Sequence, residues 1–196
     1  MPSGKIAMGK HARVSGLALL LAAIPAAAFA QADRGLAAFE TVRSVFQHPR
    51  CQNCHIPGDA PLQRDAGVTH QMNVKRGTTG HGALAMECTV CHGKENLPAS
   101  YGLHVPPGAP NWHLPPPDQK MVFIGLTPKQ LCESIKDRRN TGGKDLPAML
   151  AHNRDDKLVA WGWNPGLGRA PVPVPRETFV AAFKEWMDAG APCPAG

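Results

Sequence analysis

The sequence predicts a mainly α-helical single domain in which long loops rich in proline and glycine connect the helices. Two observations support this prediction. Apolar residues recur at three- and four-residue spacing in a few separate segments, whereas the alternation typical of strands is scarce. The chain also holds 20 glycines and 20 prolines among its 196 residues. A chain of this composition forms many turns and extended segments.

Four segments are predicted to be helical. Segment 33–48 carries an apolar stripe, begins at a suitable N-cap, Asp33, and is followed by Pro49. Segment 127–139 starts with a capping box at Thr127 and has proline at the first helical position. The other two predicted helices cover residues 147–152 and 176–188.

A proline-rich segment separates the predicted helices in the middle of the chain. Residues 98–117 contain seven prolines, which neither a helix nor a central strand tolerates. We expect a rigid extended loop here. Trp112, His113 and Leu114 lie between the stiff flanks of this loop, which favours a loop that crosses a bound group. A simple linker is the alternative.

The amino terminus has the pattern of a secretory signal. The first 13 residues contain no acidic side chain and three basic ones, Lys5, Lys10 and Arg13. An apolar run over residues 14–29 follows, and residues 28–30 read Ala-Phe-Ala, a typical cleavage site. We therefore expect residues 1–30 to be removed and residues 31–196 to form the mature domain in the periplasm.

An uncleaved membrane anchor is the alternative to a cleaved signal. The apolar run is shorter than the roughly 20 residues that a spanning helix needs, and Pro25 interrupts it. Removal of the signal takes away three basic residues, so the formal charge falls from +6 to +3. No cluster of lysine and arginine is present, and the sequence gives no reason to expect a nucleic-acid partner.

Two short motifs contain four of the six cysteines. They are Cys51-Gln52-Asn53-Cys54-His55 and Cys88-Thr89-Val90-Cys91-His92. Each reads C-x-x-C-H, the pattern of c-type haem attachment. Two thiols at this spacing can form thioether bonds with the two vinyl groups of one haem, and the adjacent histidine supplies an iron ligand. The motifs predict two covalently bound haems, with His55 and His92 as proximal ligands.

Two other chemistries use the same cysteine spacing. A single pair can be a redox dithiol, and two pairs together can hold zinc. No βαβ pattern surrounds either motif, as a thioredoxin-like site would need. A zinc ribbon does not require a histidine after both pairs and is found mainly in intracellular proteins. The 37-residue offset between Cys51 and Cys88 favours two haems packed together in one domain.

With these ten motif residues in view, the chain resembles the small dihaem c-type cytochromes of the bacterial periplasm. Looser similarity covers residues 70–77 and 107–114. The resemblance implies a cytochrome c-like, multihaem-type fold built around two haems. It also implies an electron carrier rather than an enzyme, with redox partners such as a dehydrogenase, a terminal oxidase or other cytochromes, and a possible docking to a membrane complex.

The sixth ligand of each iron decides whether a haem only transfers electrons or also binds small molecules. We expect His70 to be the distal ligand of one haem, and His113 or His152 of the other. Met121 is the best thioether alternative. A lone histidine is more often a surface residue and a methionine more often fills a core, so these candidates stay open.

The remaining cysteines, Cys132 and Cys193, are predicted to form a disulfide, because free thiols tend to pair in an oxidising compartment. A dihaem redox enzyme, similar to a peroxidase or a thiosulfate dehydrogenase, is the alternative function. It would need one open or cysteine-ligated haem, and Cys132 is the candidate ligand. A haem-based gas sensor is a third interpretation, for which no signalling module is apparent.

Overall fold

The computed structural model describes residues 1, 4 and 18–196. Helices and loops dominate this part of the chain. Six helices are present in it: α1 (Ala18–Phe46), α2 (Pro49–Gln52), α3 (Pro128–Lys136), α4 (Leu146–Asp155), α5 (Lys157–Ala160) and α6 (Arg176–Asp188). No helix among the described residues is long and apolar enough to cross a membrane. The basic segment of the predicted signal, with Lys5, Lys10 and Arg13, lies outside the described residues.

The first helix differs from its prediction at the amino-terminal end. It begins at Ala18 and runs through the predicted cleavage point, so Asp33 lies inside α1 and is not its N-cap. The reason is that residues 18–32 are rich in alanine and leucine, which have the highest helix propensities. At the other end, α1 stops at Phe46, and His48 caps α2 by accepting a hydrogen bond from the Arg50 amide.

The hydrophobic core lies between α1 and α6. Phe39, Phe183 and Trp186 are fully buried there, and the rings of Phe39 and Trp186 are 5.3 Å apart. Gly35 allows the close approach of the segment after α6, because a Cβ atom at this position would lie 2.6 Å from the Pro192 side chain. Cys51 of the first C-x-x-C-H motif packs against this core.

The later helices agree well with their predictions. The capping box of α3 is present, with the Thr127 hydroxyl accepting from the Gln130 amide, but the helix ends at Lys136 instead of residue 139. An extended backbone at Asp137 ends it there. Helix α4 is longer than predicted because Asp145 caps it and it continues to Asp155. Helix α6 has the predicted limits.

Strands contribute only two small antiparallel hairpins to the described chain, between the two C-x-x-C-H motifs. They are β1 (Leu62–Gln63) with β2 (Val68–Thr69), and β3 (Gly82–Ala83) with β4 (Met86–Glu87). The proline-rich segment 98–117 contains one short 3-10 turn, Ala99–Tyr101, and is otherwise irregular, as predicted.

Arg76 ties the loops between the motifs together. Its side chain is fully buried and donates hydrogen bonds to the carbonyl groups of Ile56, Gly58 and Pro115. Asp59 provides the counter-charge, with 3.6 Å between its Oδ1 and the Arg76 Nε. A planar guanidinium with five donors is suited to such a junction. Arg76 thus joins the chain after the first motif to the proline-rich segment.

A disulfide joins Cys132 of α3 to Cys193, as the sequence predicts. The segment around Cys193 is also held by the Trp186 indole, which donates to the Pro192 carbonyl at 2.9 Å. Lys136 donates to the neighbouring Ala191 carbonyl at 2.7 Å. The carboxyl terminus is therefore fixed to α3 and α6 at one side of the core.

Replacing both Cys132 and Cys193 by serine is expected to lower the free energy of unfolding by about 4 kcal/mol, because the bridge closes a loop over a sequence separation of 61. Guanidinium denaturation without reductant measures this change. The change should be confined to stability, since neither cysteine lines the cavities beside the two C-x-x-C-H motifs. An equal stability of the variant and the wild type would show that the bridge does not stabilise the fold.

Candidate cofactor sites

The first C-x-x-C-H motif is wound into a short helical turn beside a cavity. Cys51 lies on α2, and its carbonyl accepts from the amides of Cys54 and His55, both at 3.2 Å. This turn brings the two thiols and the imidazole to the wall of one cavity of about 210 Å³. We call it the first cavity.

The His55 imidazole is held in one tautomer by the backbone. Its Nδ1 lies 2.8 Å from the Met121 carbonyl oxygen, which can only accept, so Nδ1 carries the proton and donates. The ring stacks on Phe123, with 4.0 Å between the ring centres. Burial lowers the pKa of His55 to about 4. The imidazole is therefore neutral at pH 7, with the lone pair of Nε2 free to bind a metal ion.

The second motif repeats this arrangement with different supporting residues. Cys88 begins a 3-10 turn, and its carbonyl accepts from the His92 amide at 2.9 Å. The Nδ1 of His92 donates to the Pro107 carbonyl at 2.7 Å, and its ring stacks on Trp112 at 4.3 Å. Burial lowers the pKa of His92 to about 4 as well. Two separate sites thus present a neutral imidazole beside a pair of thiols.

Burial holds three of the four motif thiols in their protonated form. It raises the pKa of Cys51 to about 12 and that of Cys54 to about 11, and it also raises the pKa of Cys88. Reactive cysteines have lowered pKa values instead. In the described part of the chain, no group of three or more His, Cys, Asp or Glu side chains is arranged to hold a metal ion. The two cysteine pairs are therefore not brought together as a four-cysteine zinc ribbon would require.

The second cavity has a volume of about 430 Å³ and is lined mainly by apolar side chains. This volume lies within the range of roughly 300–1,000 Å³ that is usual for small-molecule and cofactor sites. The first cavity is smaller than this range. Both cavities have the cysteines and the histidine of a C-x-x-C-H motif at their wall, and the second also has a volume usual for a cofactor site.

His70 lines the second cavity together with His92, the expected proximal ligand. The ring centres of His70 and His92 are 6.1 Å apart. Two imidazoles that bind one metal ion from opposite sides have their ring centres roughly 6 Å apart, because each metal–nitrogen bond is about 2.0–2.1 Å. The Nδ1 of His70 donates to the Gln71 carbonyl at 2.8 Å, so its Nε2 is free. This ring separation is the one expected for a bis-histidine pair.

The first cavity is lined by both of the other histidine candidates. His152, on α4, is half-buried, and burial lowers its pKa despite the opposing charge of Asp156. His113 belongs to the proline-rich segment, and its ring stacks on His81 with 5.1 Å between centres. A proton on His152 would lower the pKa of His55, so the two side chains are close in space. The structure brings both candidates to the cavity and leaves the choice between them open.

Met121 lies beside His55, the expected proximal ligand of the first cavity. Its backbone carbonyl accepts from His55 Nδ1, and the residue lines the first cavity. Its thioether therefore stays the alternative to the two histidines. Met149 lines the first cavity and His104 lines the second, and neither is among the favoured distal-ligand candidates.

The two cavities share a wall. Four residues line both of them, namely Arg50, Cys54, Trp112 and Trp161. The rings of Trp112 and Trp161 meet edge to face with 4.9 Å between centres. Trp112 also stacks on His92, so an aromatic pair connects the second motif with the first cavity. Sequence spacing does not reveal this wall because its residues come from three distant segments.

Comparison of the chain with family models, with curated proteins and with solved structures finds no match in any of the three. Function is therefore argued from the two motifs and from the geometry around them. The fold and the sites define a helical protein with two adjacent cavities, each of which has the two cysteines and the histidine of one C-x-x-C-H motif at its wall.

Proposed function

We propose that this protein is a dihaem c-type cytochrome of the small periplasmic kind, with one covalently attached haem in each cavity. The observation that carries the proposal is the repeated environment of His55 and His92. Each is buried, neutral at pH 7, and oriented by a hydrogen bond from Nδ1 to a backbone carbonyl. Metal-ligating histidines have this support as a rule, because it fixes the tautomer and the ring orientation.

The residues of each site have separate roles in this proposal. Bound haem supplies one-electron chemistry between ferric and ferrous iron. Cys51 and Cys54 anchor the group in the first cavity through thioether bonds, and Cys88 and Cys91 do so in the second. His55 and His92 bind the iron on the proximal side. His70 would be the second iron ligand in the second cavity, and His152 or His113 would be that in the first.

The biological role that we propose is electron transfer between a dehydrogenase and the respiratory chain, in the periplasm after removal of the signal. Two features support a carrier rather than an enzyme. Histidine candidates face both cavities, so both irons can be fully ligated by the protein. The shared aromatic wall keeps the two sites adjacent, which suits rapid electron exchange between them.

One argument for the enzyme alternative, a free Cys132 as haem ligand, does not hold. A thiosulfate-oxidising site would use a cysteine as distal ligand, and Cys132 was the candidate. Its sulfur is bonded to Cys193 and lines neither cavity. No specific observation favours a peroxidase-like site or a gas sensor.

Expression with a cytochrome c maturation system tests the proposal. The purified chain is expected to carry two haems by intact mass under denaturing conditions, and the mass should also reveal cleavage after Ala30. The reduced protein is expected to keep its visible spectrum when carbon monoxide is added, because both irons hold two protein ligands. A chain without covalent haem would refute the cytochrome proposal, and a large spectral shift with carbon monoxide would favour an enzyme or a sensor.

A further inference from the structure

Asn96 joins three separate segments of the chain close to the second C-x-x-C-H motif. Its Oδ1 accepts hydrogen bonds from the Gly108 amide at 3.1 Å and from the Trp161 indole at 3.3 Å. Its Nδ2 donates to the Asn164 carbonyl at 2.7 Å. Amide and indole N–H groups donate and a carbonyl accepts, so all three partners agree on one orientation of the Asn96 amide. Both polar atoms of this side chain therefore bind segments that are distant in the sequence.

The contact between Asn96 and Gly108 is supported by close packing of the backbone. A Cβ atom on Gly108 would lie 2.0 Å from the Glu95 carbonyl oxygen, so a glycine is needed for the two segments to approach this closely. Residues 106–110 contain three prolines, which restrict the backbone on both sides of Gly108. The proline-rich segment is thus held against residues 95–96 at one defined point.

The peptide unit between Pro107 and Gly108 connects Asn96 to the expected proximal ligand of the second cavity. Its carbonyl oxygen accepts from His92 Nδ1 at 2.7 Å, and its N–H donates to Asn96. Because a peptide unit is planar and trans, its C=O and N–H point in opposite directions, and the bond to Asn96 fixes where the carbonyl points. The two hydrogen bonds form a chain in which each polarises and strengthens the other.

The aromatic contact of His92 also leads back to Asn96. Trp112 stacks on His92 with 4.3 Å between ring centres, and Trp161 meets Trp112 edge to face at 4.9 Å. The indole of Trp161 donates to Asn96. Asn96 itself lines neither cavity. It therefore acts on the second cavity through the two groups that hold the His92 ring, a backbone carbonyl and a stacked indole.

We propose that Asn96 is a positioning residue for the second haem, where it fixes the Pro107–Gly108 peptide against His92 and thereby lowers the reduction potential of this haem. This inference rests on the proposed function and deepens it. A hydrogen bond from Nδ1 makes the imidazole a more basic ligand. A more basic ligand stabilises ferric iron, so the hydrogen bond lowers the potential and its weakening raises the potential.

A redox titration of the purified holoprotein, followed by visible absorbance, tests the proposal. Asn96→Leu keeps the branched shape of the side chain and removes its polar atoms. It is expected to shift the reduction equilibrium of the second haem about tenfold towards the ferrous state, about the effect of one hydrogen bond. For a one-electron couple this is a rise of about 59 mV. The first haem should not change. Replacing Cys88 and Cys91 by serine removes the second haem and shows which redox step belongs to it.

Two further variants examine the same contact. Gly108→Ala pushes the peptide away from residues 95–96 and should raise the same potential, which provides a test if the leucine variant does not fold. Combining it with Asn96→Leu should raise the potential no further, because both changes break one contact. Asn96→Asp keeps the accepting oxygen and should not raise the potential. A rise in this variant would overturn the proposal.

Gln47→Leu is the matched control. Gln47 is a half-buried amide side chain that donates to the backbone carbonyls of Phe123 and Leu126, and it lines neither cavity. The variant removes a bridging amide of the same kind and should leave the potential of the second haem unchanged. A rise equal to that of Asn96→Leu would show that any loosening of the fold raises this potential, and it would overturn the positioning role.

The number of haems in the wild type separates failure of this inference from failure of the proposed function. A wild-type chain with fewer than two haems overturns the function and the inference with it. Two haems in the wild type, with the same second potential in Asn96→Leu, overturn the inference alone. Equal shifts of both potentials in Asn96→Leu would also overturn it, because Asn96 would then not act through His92.

Discussion

A chain in which Cys88 and Cys91 are both replaced by serine is expected to keep one covalent haem instead of two. Serine cannot form the thioether bonds, and the first motif has its own cavity, its own supporting carbonyl and its own stacking partner, Phe123. The intact mass under denaturing conditions should fall by one haem. The absorbance of the alkaline pyridine complex, measured per polypeptide, should fall by half.

The reciprocal replacement of Cys51 and Cys54 provides the matching experiment, and the two variants together should account for all of the bound haem. Replacing Cys132 and Cys193 by serine is the control, because it removes the same number of cysteines outside both cavities. This control should retain two haems. Retention of two haems by the variant lacking Cys88 and Cys91 would contradict the assignment of the second site.

The features that the sequence predicted well depend on neighbouring residues. The capping box of α3 needs only Thr127, Gln130 and the proline between them, and it is present. The limits of α6 follow from its apolar face and from the glycine that ends it. The two motifs are also local features, because each places two cysteines and a histidine within five consecutive residues, the spacing typical of haem attachment.

The features that could not be predicted depend on residues far apart in the chain. The carbonyl groups that orient His55 and His92 belong to Met121 and Pro107, and no sequence rule links a motif to such a partner. From the sequence alone, the buried Arg50 would be predicted to be exposed, because arginine is seldom fully buried. Its position is set by the tertiary packing of Trp161 and Asp65 around it.

The start of α1 shows a different limit of sequence interpretation. The sequence pattern divides a signal from a mature helix at residue 30, whereas the helix continues across that point. Local propensity controls the helix, since residues 18–32 are strong helix formers. Recognition by a peptidase does not depend on where a helix begins in the folded chain. The position of Asp33 inside the helix therefore corrects the N-cap prediction and leaves the cleavage prediction untested.

Replacing His70 by alanine is expected to make the second haem bind carbon monoxide, with one molecule bound per chain, while the wild type binds none. The reason is the separation of 6.1 Å between the His70 and His92 rings, which fits two imidazoles on one metal ion. Alanine leaves the sixth position open, and the reduced spectrum should shift on addition of carbon monoxide. Titration with the gas gives the stoichiometry.

His104→Ala is the matched control, because His104 also lines the second cavity but is exposed. This variant should not bind carbon monoxide. If it did, and His70→Ala did not, the distal ligand would be His104. His70→Met should remain closed to the gas and should have a higher reduction potential, because a thioether ligand stabilises ferrous iron.

The same measurement decides between His152 and His113 at the first cavity. Both line it, and only the variant that loses the distal ligand should bind carbon monoxide. We favour His152, because α4 carries it at the wall of this cavity, whereas the His113 ring stacks on His81. We therefore expect His152→Ala to open the first haem and His113→Ala to leave it closed. The combination of His70→Ala with His152→Ala should then bind two molecules of carbon monoxide per chain.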